Sequence, residues 1–287
     1  MANWWILIKE RFSPASYVPM IFLFSWANGL FFSSTLGLEW NWGRFAGVFL
    51  LMLSFFFRMR LFDEIKDYEV DLKVNPTRPL ARGILTVRQV KVALLFLIIF
   101  EMGLASTLGV YSLLIHAAAI GYSLLMYEEF FIGETLRPHL TTYAVTHTFV
   151  SVLLGLSSGV AMTGVNPQEL TWPLLIFIFM NWAFFNLFEF ARKTFASSEE
   201  RPHVPSYSNI FTDKGALALS LSQAILGVGV VYYLQPHWIW LVSLSAYVIL
   251  SLIYIIKKTA PAAQFFRAIS GVYLLLHYAL VIYMWRS

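Results

Sequence analysis

Long apolar runs limit what this chain can fold into more than any other feature. Residues 92–100 and 238–256 are almost entirely apolar, and about 20 such residues form a helix that crosses a bilayer. Hydrophobic residues make up 59% of the chain and charged residues 13%, against roughly 45–50% and about 25% in soluble domains. These values exclude a soluble globular protein. The runs predict nine transmembrane helices, at residues 16–36, 42–61, 89–109, 111–127, 139–163, 171–190, 216–234, 237–256 and 267–285.

Two further observations narrow the class of protein. The apolar runs lack the alternation of polar and apolar residues that outer-membrane barrels show, so we expect an all-α integral membrane protein with its nine helices in one bundle. The sequence contains no cysteine, which excludes disulfides, thiolate metal sites and cysteine nucleophiles. The net charge of +4 comes from residues that mark cytoplasmic loops in membrane proteins, and we expect no nucleic-acid partner.

The distribution of basic residues predicts the orientation. A cytoplasmic N-terminus places eighteen of the twenty lysine and arginine residues inside and leaves Arg44 and Arg286 outside, as expected for a multi-pass protein of a bacterial-type inner (plasma) membrane. The two long polar segments, 62–88 and 191–215, then share the cytoplasmic face. They follow the second and sixth helices, which suggests that the single domain at 1–287 contains two related halves, about 1–130 and 131–287.

The first polar segment opens with a cluster of acidic residues. On a helix, Asp63, Asp67 and Asp71 are four residues apart, so their carboxylates lie on one face, with Glu64 beside them. Like charges in such a row repel one another unless a cation lies between them. We expect a hard divalent cation, Mg²⁺ or alternatively Mn²⁺, because such ions bind carboxylate oxygens together with water and substrate phosphates.

The residues that follow the cluster suit phosphate binding. Asn75, Arg78 and Arg82 lie in a loop that is rich in proline and glycine. One guanidinium group can donate two parallel hydrogen bonds to the oxygens of a phosphate. The segment thus combines carboxylates that suit a metal with arginines that suit phosphate, and it lies at the end of apolar helices. This combination predicts a site for a lipid diphosphate. The alternative is a solvated acidic helix that nearby basic residues neutralise.

The run from Asp63 to Gly83 resembles the first signature of the UbiA superfamily of intramembrane prenyltransferases. That signature reads Asn-Asp-x-x-Asp-x-x-x-Asp, followed by Arg-Pro-Leu and a glycine. Asp67 and Asp71 match, as do Arg78-Pro79-Leu80 and Gly83, whereas Asp63 and Glu64 replace the first two members. The resemblance implies a nine-helix fold and a metal bound by Asp63, Glu64, Asp67 and Asp71, with Asp67 and Asp71 essential for catalysis.

The second family signature matches less well. The family has acidic residues after the sixth helix, and here Glu189 is followed by Arg192 and Lys193. The resemblance implies that Glu189 binds a second metal. Because Arg192 and Lys193 stand where the family has acids, we expect either that fewer carboxylates hold this metal or that these two basic residues neutralise diphosphate charge in its place, Lys193 also acting in catalysis. Arg137, after the fourth helix, is a further candidate for diphosphate binding. The alternative is that these basic residues are ordinary residues of the membrane interface.

Ionisable groups inside membrane helices are functional candidates. His147 lies one turn after Tyr143, and with Asn186 these residues are candidates for binding an acceptor. Glu101 and His116 also lie within predicted helices. For both histidines we favour a role as a hydrogen-bonded residue between helices.

The resemblance implies transfer of a prenyl group from an isoprenoid diphosphate to an aromatic or other lipophilic acceptor within the membrane, with membrane lipid as a further partner. Relatives on the same fold carry out two other reactions, cyclisation of the isoprenoid diphosphate and transfer of phosphoribosyl to polyprenyl phosphate. A third alternative is a non-enzymatic transporter or lipid-binding protein, which clustering of the acids at helix ends rather than at the membrane midplane disfavours.

Overall fold

Helices form all of the regular structure in the described chain. The computed structural model describes residues 2–201 and 204–286, and no strand occurs in that part. The α-helices are α1 (Ala2–Arg11), α2 (Pro14–Thr35), α3 (Trp42–Lys66), α4 (Tyr68–Val74), α5 (Val87–Thr107), α6 (Val110–Tyr127), α7 (Gly133–Leu136), α8 (Leu140–Thr148), α9 (Val150–Thr163), α10 (Trp172–Arg192), α11 (Tyr207–Leu234), α12 (Trp238–Lys257) and α13 (Ala260–Trp285).

Nine candidate membrane spans occur among the described residues, with α8 and α9 together forming one of them. The prediction of nine spanning helices is therefore confirmed. Two ends lie five or more residues beyond the predicted limits, because α3 continues to Lys66 instead of ending at 61 and α13 begins at Ala260 instead of 267. α11 begins at Tyr207 instead of 216, but its helical backbone is interrupted at Thr212, where φ is 64° and ψ is 169°. Hydropathy marks where a helix leaves the apolar layer, whereas the helix α3 continues through the polar residues Asp63 and Glu64. At α11 the Ser206 side chain caps the helix by accepting from the backbone N–H of Asn209 at 3.0 Å.

The chain forms two compact units. Unit 1 comprises Met1–Phe131 and Leu156–Gln168. Within it, Gly159 lies against the ring of Phe32 so closely that a Cβ atom would come within 2.3 Å of Cγ. Only glycine allows this approach of two membrane helices.

Unit 2 comprises Ile132–Gly155 and Glu169–Ser287. A similar approach occurs at Gly227 of α11, where a Cβ atom would lie 2.8 Å from the ring of Phe184 in α10. The predictions of a single domain with two related halves and of a cytoplasmic N-terminus stay predictions.

Arg58 is one of the eighteen basic residues assigned to the cytoplasmic side from the sequence. It lies inside α3 with its side chain fully buried, and its Nε donates to both carboxylate oxygens of Glu101 at 3.0 Å. His116 completes the cluster, because its Nδ1 pairs with Ser157 Oγ at 2.9 Å and its Nε2 lies 3.4 Å from Glu101. His116 is thus a hydrogen-bonded residue between helices, as favoured above.

Candidate active site

The acidic cluster lies where α3 passes into α4. Asp67 is the residue between the two helices, and the backbone hydrogen bonds run on through it: Asp67 N–H donates to Asp63 at 2.9 Å, Asp71 N–H to Asp67 at 2.7 Å, and Asn75 N–H to Asp71 at 2.9 Å. Helical spacing is therefore kept from Asp63 to Asn75. The row of carboxylates that the sequence predicts on one helical face requires this continuity.

Asp67 and Asp71 share one cationic group. Nη1 of Arg78 lies 2.6 Å from Asp71 Oδ2 and 3.5 Å from Asp67 Oδ2. The Asp71 side chain is buried whereas that of Asp67 is half exposed. Asn75 Nδ2 donates to the other Asp71 oxygen at 3.0 Å. Four of the predicted site residues thus meet, and the repulsion between the two carboxylates is offset by a guanidinium.

The loop after α4 fixes the position of Arg78. Its backbone N–H donates to Asn75 at 3.0 Å, and its carbonyl accepts from Arg82 N–H at 3.0 Å. Gly83 adopts a positive φ of 77°, which reverses the chain and which residues with a side chain rarely adopt. Leu80 and Leu85 are buried in the hydrophobic cluster beneath the loop. The loop is therefore a packed turn, and not a flexible connection.

Glu64 and Asp63 point to other partners. Glu64 has a fully buried side chain that pairs with Arg11 of α1 and lies 3.8 Å from Arg60. Asp63 is half exposed and accepts from Arg60 at 3.3 Å. The structure therefore places Glu64 beside α1, away from the carboxylates that share Arg78.

Two contacts near the cluster carry information that sequence reasoning missed. Arg82 pairs with Glu10 of α1 at 2.6 Å, so it is engaged by an acid rather than placed beside Arg78. Lys66, the residue before Asp67, pairs with the buried Glu129 at 3.1 Å. The sequence signal for the second pairing is the run of acids at 128–129, but local spacing does not identify partners 63 residues apart.

The candidate residues of unit 2 at the end of α10 also form pairs. Glu189 accepts from Arg192, and its other oxygen lies 3.3 Å from Lys193 Nζ. One turn earlier, the buried Asn186 accepts from Thr148 and donates to Gln223 at 3.4 Å. The structure thus brings Glu189, Arg192 and Lys193 into one charged group.

Tyr143 and His147 stack on one face of α8. Their ring centroids are 3.9 Å apart, and His147 Nδ1 lies 2.7 Å from the Tyr143 carbonyl oxygen. Arg137 follows the one-turn helix α7 and is exposed. These three candidates all belong to unit 2.

In the segment after α10, two acidic residues form hydrogen bonds that the sequence did not reveal. Arg267 of α13 donates to both oxygens of Glu199, at 2.6 and 3.0 Å, and this bonding lowers the pKa of Glu199 from 4.5 to about 2. Glu200 accepts from the hydroxyls of Ser206 and Ser208 at 2.7–2.8 Å. These bonds tie the segment to α13 and to the start of α11.

A metal ion would need donors that converge. Among residues 2–201 and 204–286, no group of three or more histidine or acidic side chains is already assembled around one point. Asp67 and Asp71 nevertheless fit Mg²⁺, because their oxygens already converge on one positive group and Mg²⁺ is commonly bound through one or two carboxylates, water and substrate phosphates.

Comparison with known proteins decides the family. Residues 16–206 match the model of the UbiA prenyltransferase family. The chain belongs to this family. The match covers more than half of the chain and confirms the resemblance inferred from the acidic motif.

Solved structures of other UbiA proteins share the fold. A structure of digeranylgeranylglyceryl phosphate synthase has a TM-score of 0.66 and 15% identity, over 98% of this chain and 98% of that one. A UbiA homolog from Aeropyrum pernix K1, solved in the apo form, has a TM-score of 0.63 and 15% identity, over 91% of this chain and 97% of that one. No curated protein matches the sequence. The protein is therefore an integral membrane member of a prenyltransferase family.

Proposed function

We propose that the protein catalyses Mg²⁺-dependent transfer of a prenyl group from an isoprenoid diphosphate to a lipophilic or aromatic acceptor within the membrane. The observation that carries this proposal is the convergence of Asp67 and Asp71 on the guanidinium of Arg78. A site of two carboxylates and an arginine on a rigid turn suits a metal-bound diphosphate. Membership of the UbiA family supports the same reaction class.

Each residue at the α3–α4 junction has a proposed role. Asp67 and Asp71 hold Mg²⁺, which when bound neutralises the charge of the leaving diphosphate. Arg78 exchanges its carboxylate partners for phosphate oxygens, and Asn75 keeps Asp71 oriented through the 3.0 Å hydrogen bond. Asp63 is half exposed and is a further ligand on the same helical face. Glu64 is an indirect contributor, since its pairing with Arg11 fixes the end of α3.

The residues of unit 2 have separate proposed roles. Glu189 binds a second metal ion, while Lys193 and Arg192 contribute positive charge toward diphosphate. Arg137 is a further diphosphate ligand. Asn186 and the stacked pair of Tyr143 and His147 contact the acceptor.

The chemistry follows from these charges. The allylic C–O bond breaks, its electron pair leaves with the diphosphate, and Arg78 stabilises the negative charge that develops there. The acceptor nucleophile then forms a bond to the allylic carbon and loses a proton. The apolar helices keep water from the cation, which would otherwise give the prenyl alcohol. We place the site at the cytoplasmic face, as the distribution of basic residues predicts.

The test compares three carboxylate variants of purified protein. Asp67→Asn and Asp71→Asn remove the charge of the proposed metal ligands. Glu69→Gln removes an equal charge from an exposed position of the same short helix α4. We expect the two asparagine variants to lose at least about 100-fold in turnover, because loss of one electrostatic stabiliser commonly has that effect, and Glu69→Gln to remain near wild type.

Other outcomes would overturn the proposal. Near-normal turnover of Asp71→Asn would remove the site from catalysis. A hydrocarbon product formed without an acceptor would identify a cyclase, and consumption of phosphoribosyl diphosphate would identify phosphoribosyl transfer. Solute uptake into proteoliposomes without diphosphate release would identify a transporter.

A further inference from the structure

A groove of about 640 Å³ lies on unit 1, and none of its lining residues belongs to the acidic cluster. One wall is formed by Trp4 and Ile8 of α1, and another by Val92 and Phe96 of α5, with Phe57 of α3 also in the lining. Val92 and Phe96 are 47% and 66% exposed. Because α5 is a membrane span, this exposed apolar surface faces lipid.

The wall formed by α1 is fixed to the rest of unit 1. Leu7 is fully buried in the hydrophobic cluster, and Asn3 Nδ2 donates to the carbonyl oxygen of Ile84 at 2.8 Å. Lys9 lies over the ring of Trp5 at 5.2 Å. A helix with aromatic and basic residues on one side and a buried leucine on the other is typical of the membrane interface. The groove thus lies between an interfacial helix and a spanning helix, and the packing of Leu7 and the hydrogen bond of Asn3 hold the interfacial helix against unit 1.

One end of the groove is cationic. Arg88, the second residue of α5, lines it together with Gln89. Among the residues that the structure describes, no acidic side chain pairs with Arg88. Gln89 Oε1 accepts from the backbone of Thr86 at 2.9 Å, which leaves its Nε2 as a donor. The positive end of the α5 dipole adds to the attraction for an anion.

The polar and apolar parts of the groove are in the order that a lipid requires. Arg88, Val92 and Phe96 follow one another at intervals of four residues and therefore lie on one face of α5. Because an α-helix rises about 1.5 Å per residue, Phe96 lies about 12 Å along the helix axis from Arg88. That length is most of the roughly 15 Å hydrocarbon depth of one leaflet. A phosphate at Arg88 therefore places an acyl chain along the two apolar side chains.

We propose that this groove binds one anionic phospholipid, with its phosphate at Arg88 and an acyl chain along Val92 and Phe96. The charge of Arg88 favours an anionic headgroup over a zwitterionic one, because the latter brings its own cation to the guanidinium. None of the groove residues belongs to the candidate active site, so this proposal does not depend on the proposed reaction.

The test measures lipid binding by native mass spectrometry in detergent. Wild-type protein is titrated with dioleoyl phosphatidylglycerol and with dioleoyl phosphatidylcholine, which have the same acyl chains. We expect a preference for phosphatidylglycerol that Arg88→Gln reduces about tenfold, as for loss of a charge-assisted hydrogen bond, and that Arg88→Lys largely keeps. Lys91→Gln removes a charge from an exposed residue of the same helix that does not line the groove, and should change the affinity less than about twofold.

A second pair of variants tests the apolar part. Val92→Trp fills the groove and should weaken binding of both lipids, whereas Leu95→Trp alters an exposed residue outside the groove and should not. Equal phosphatidylglycerol affinity in wild type, Arg88→Gln and Lys91→Gln would overturn the proposal. Displacement of the lipid by millimolar inorganic phosphate would also overturn it, because the ligand would then be a free anion.

Discussion

The buried pair of Arg58 and Glu101 provides a quantitative test of the packing of unit 1. Both side chains are fully buried inside membrane spans, and Arg58 Nε lies 3.0 Å from both carboxylate oxygens. The change Glu101→Gln keeps the shape of the side chain and removes its charge. Arg58 then retains its bond to Ser123 at 2.8 Å, the rings of Phe55 at 4.4 Å and Phe62 at 5.3 Å, and a neutral amide partner.

The expected cost follows from the geometry. Two unit charges 3.0 Å apart attract by about 5 kcal/mol at an effective dielectric constant of about 20. The change Glu101→Gln loses this attraction, but part of the loss is offset. The variant has no carboxylate to desolvate on folding, and its amide oxygen still accepts one hydrogen bond. We therefore expect a loss of about 3 kcal/mol in the free energy of unfolding, at the lower end of the range for breaking buried ion pairs.

The assay is equilibrium unfolding in mixed micelles with an increasing fraction of sodium dodecyl sulfate. Glu39→Gln is the control, since it makes the same chemical change at an exposed position of unit 1 and should stay within about 0.5 kcal/mol of wild type. The double variant Arg58→Met, Glu101→Met should lose less than the sum of the two single methionine variants, because neither charge is left alone. A loss below about 1 kcal/mol for Glu101→Gln would refute the reasoning.

Two further predictions concern stability. Gly159→Ala should lower the free energy of unfolding by about 1–3 kcal/mol, because the added Cβ would overlap Phe32. Gly103→Ala is the control: this glycine lies in a helix, its Cβ would have nothing within 4 Å, and the change should raise the free energy of unfolding by roughly 0.5–1 kcal/mol. Equal effects of the two variants in thermal unfolding would contradict the close packing at Gly159. Arg267 lowers the pKa of Glu199 to about 2 from 4.5, so the pair stabilises the fold above pH 4.5 and loses this effect as the pH falls toward 2. The thermal stability of wild type should therefore approach that of Glu199→Gln over this range, and a difference that is constant with pH would count against the pair.

The sequence predicted the helices well, because a helix that crosses a membrane needs a long run of apolar side chains and such runs are visible in the sequence. It misjudged helix ends where charged residues interrupt the apolar run, since α3 continues through Asp63 and Glu64 to Lys66 and α13 begins before Arg267, at Ala260. It also predicted the helical spacing of Asp67 and Asp71, because the chain keeps its hydrogen bonds across the junction.

The sequence could not predict the partners of the charged residues. Glu64 lies next to Asp63 in the motif, yet its buried carboxylate pairs with Arg11, which is 53 residues away. Arg58 and Glu101 were each conspicuous as charges near or within apolar runs, but 43 residues separate them. Such pairings depend on how helices pack, which local spacing does not encode.

The most direct test of the proposed function is the release of diphosphate by purified wild-type protein. Allylic prenyl diphosphates of several lengths are incubated with aromatic and other lipophilic acceptors, in the presence of Mg²⁺ or of a chelator, and products are identified by mass spectrometry. The proposal predicts release only with Mg²⁺, together with one prenylated acceptor for each diphosphate released. Absence of release from every donor, or equal release in the chelator, would contradict it.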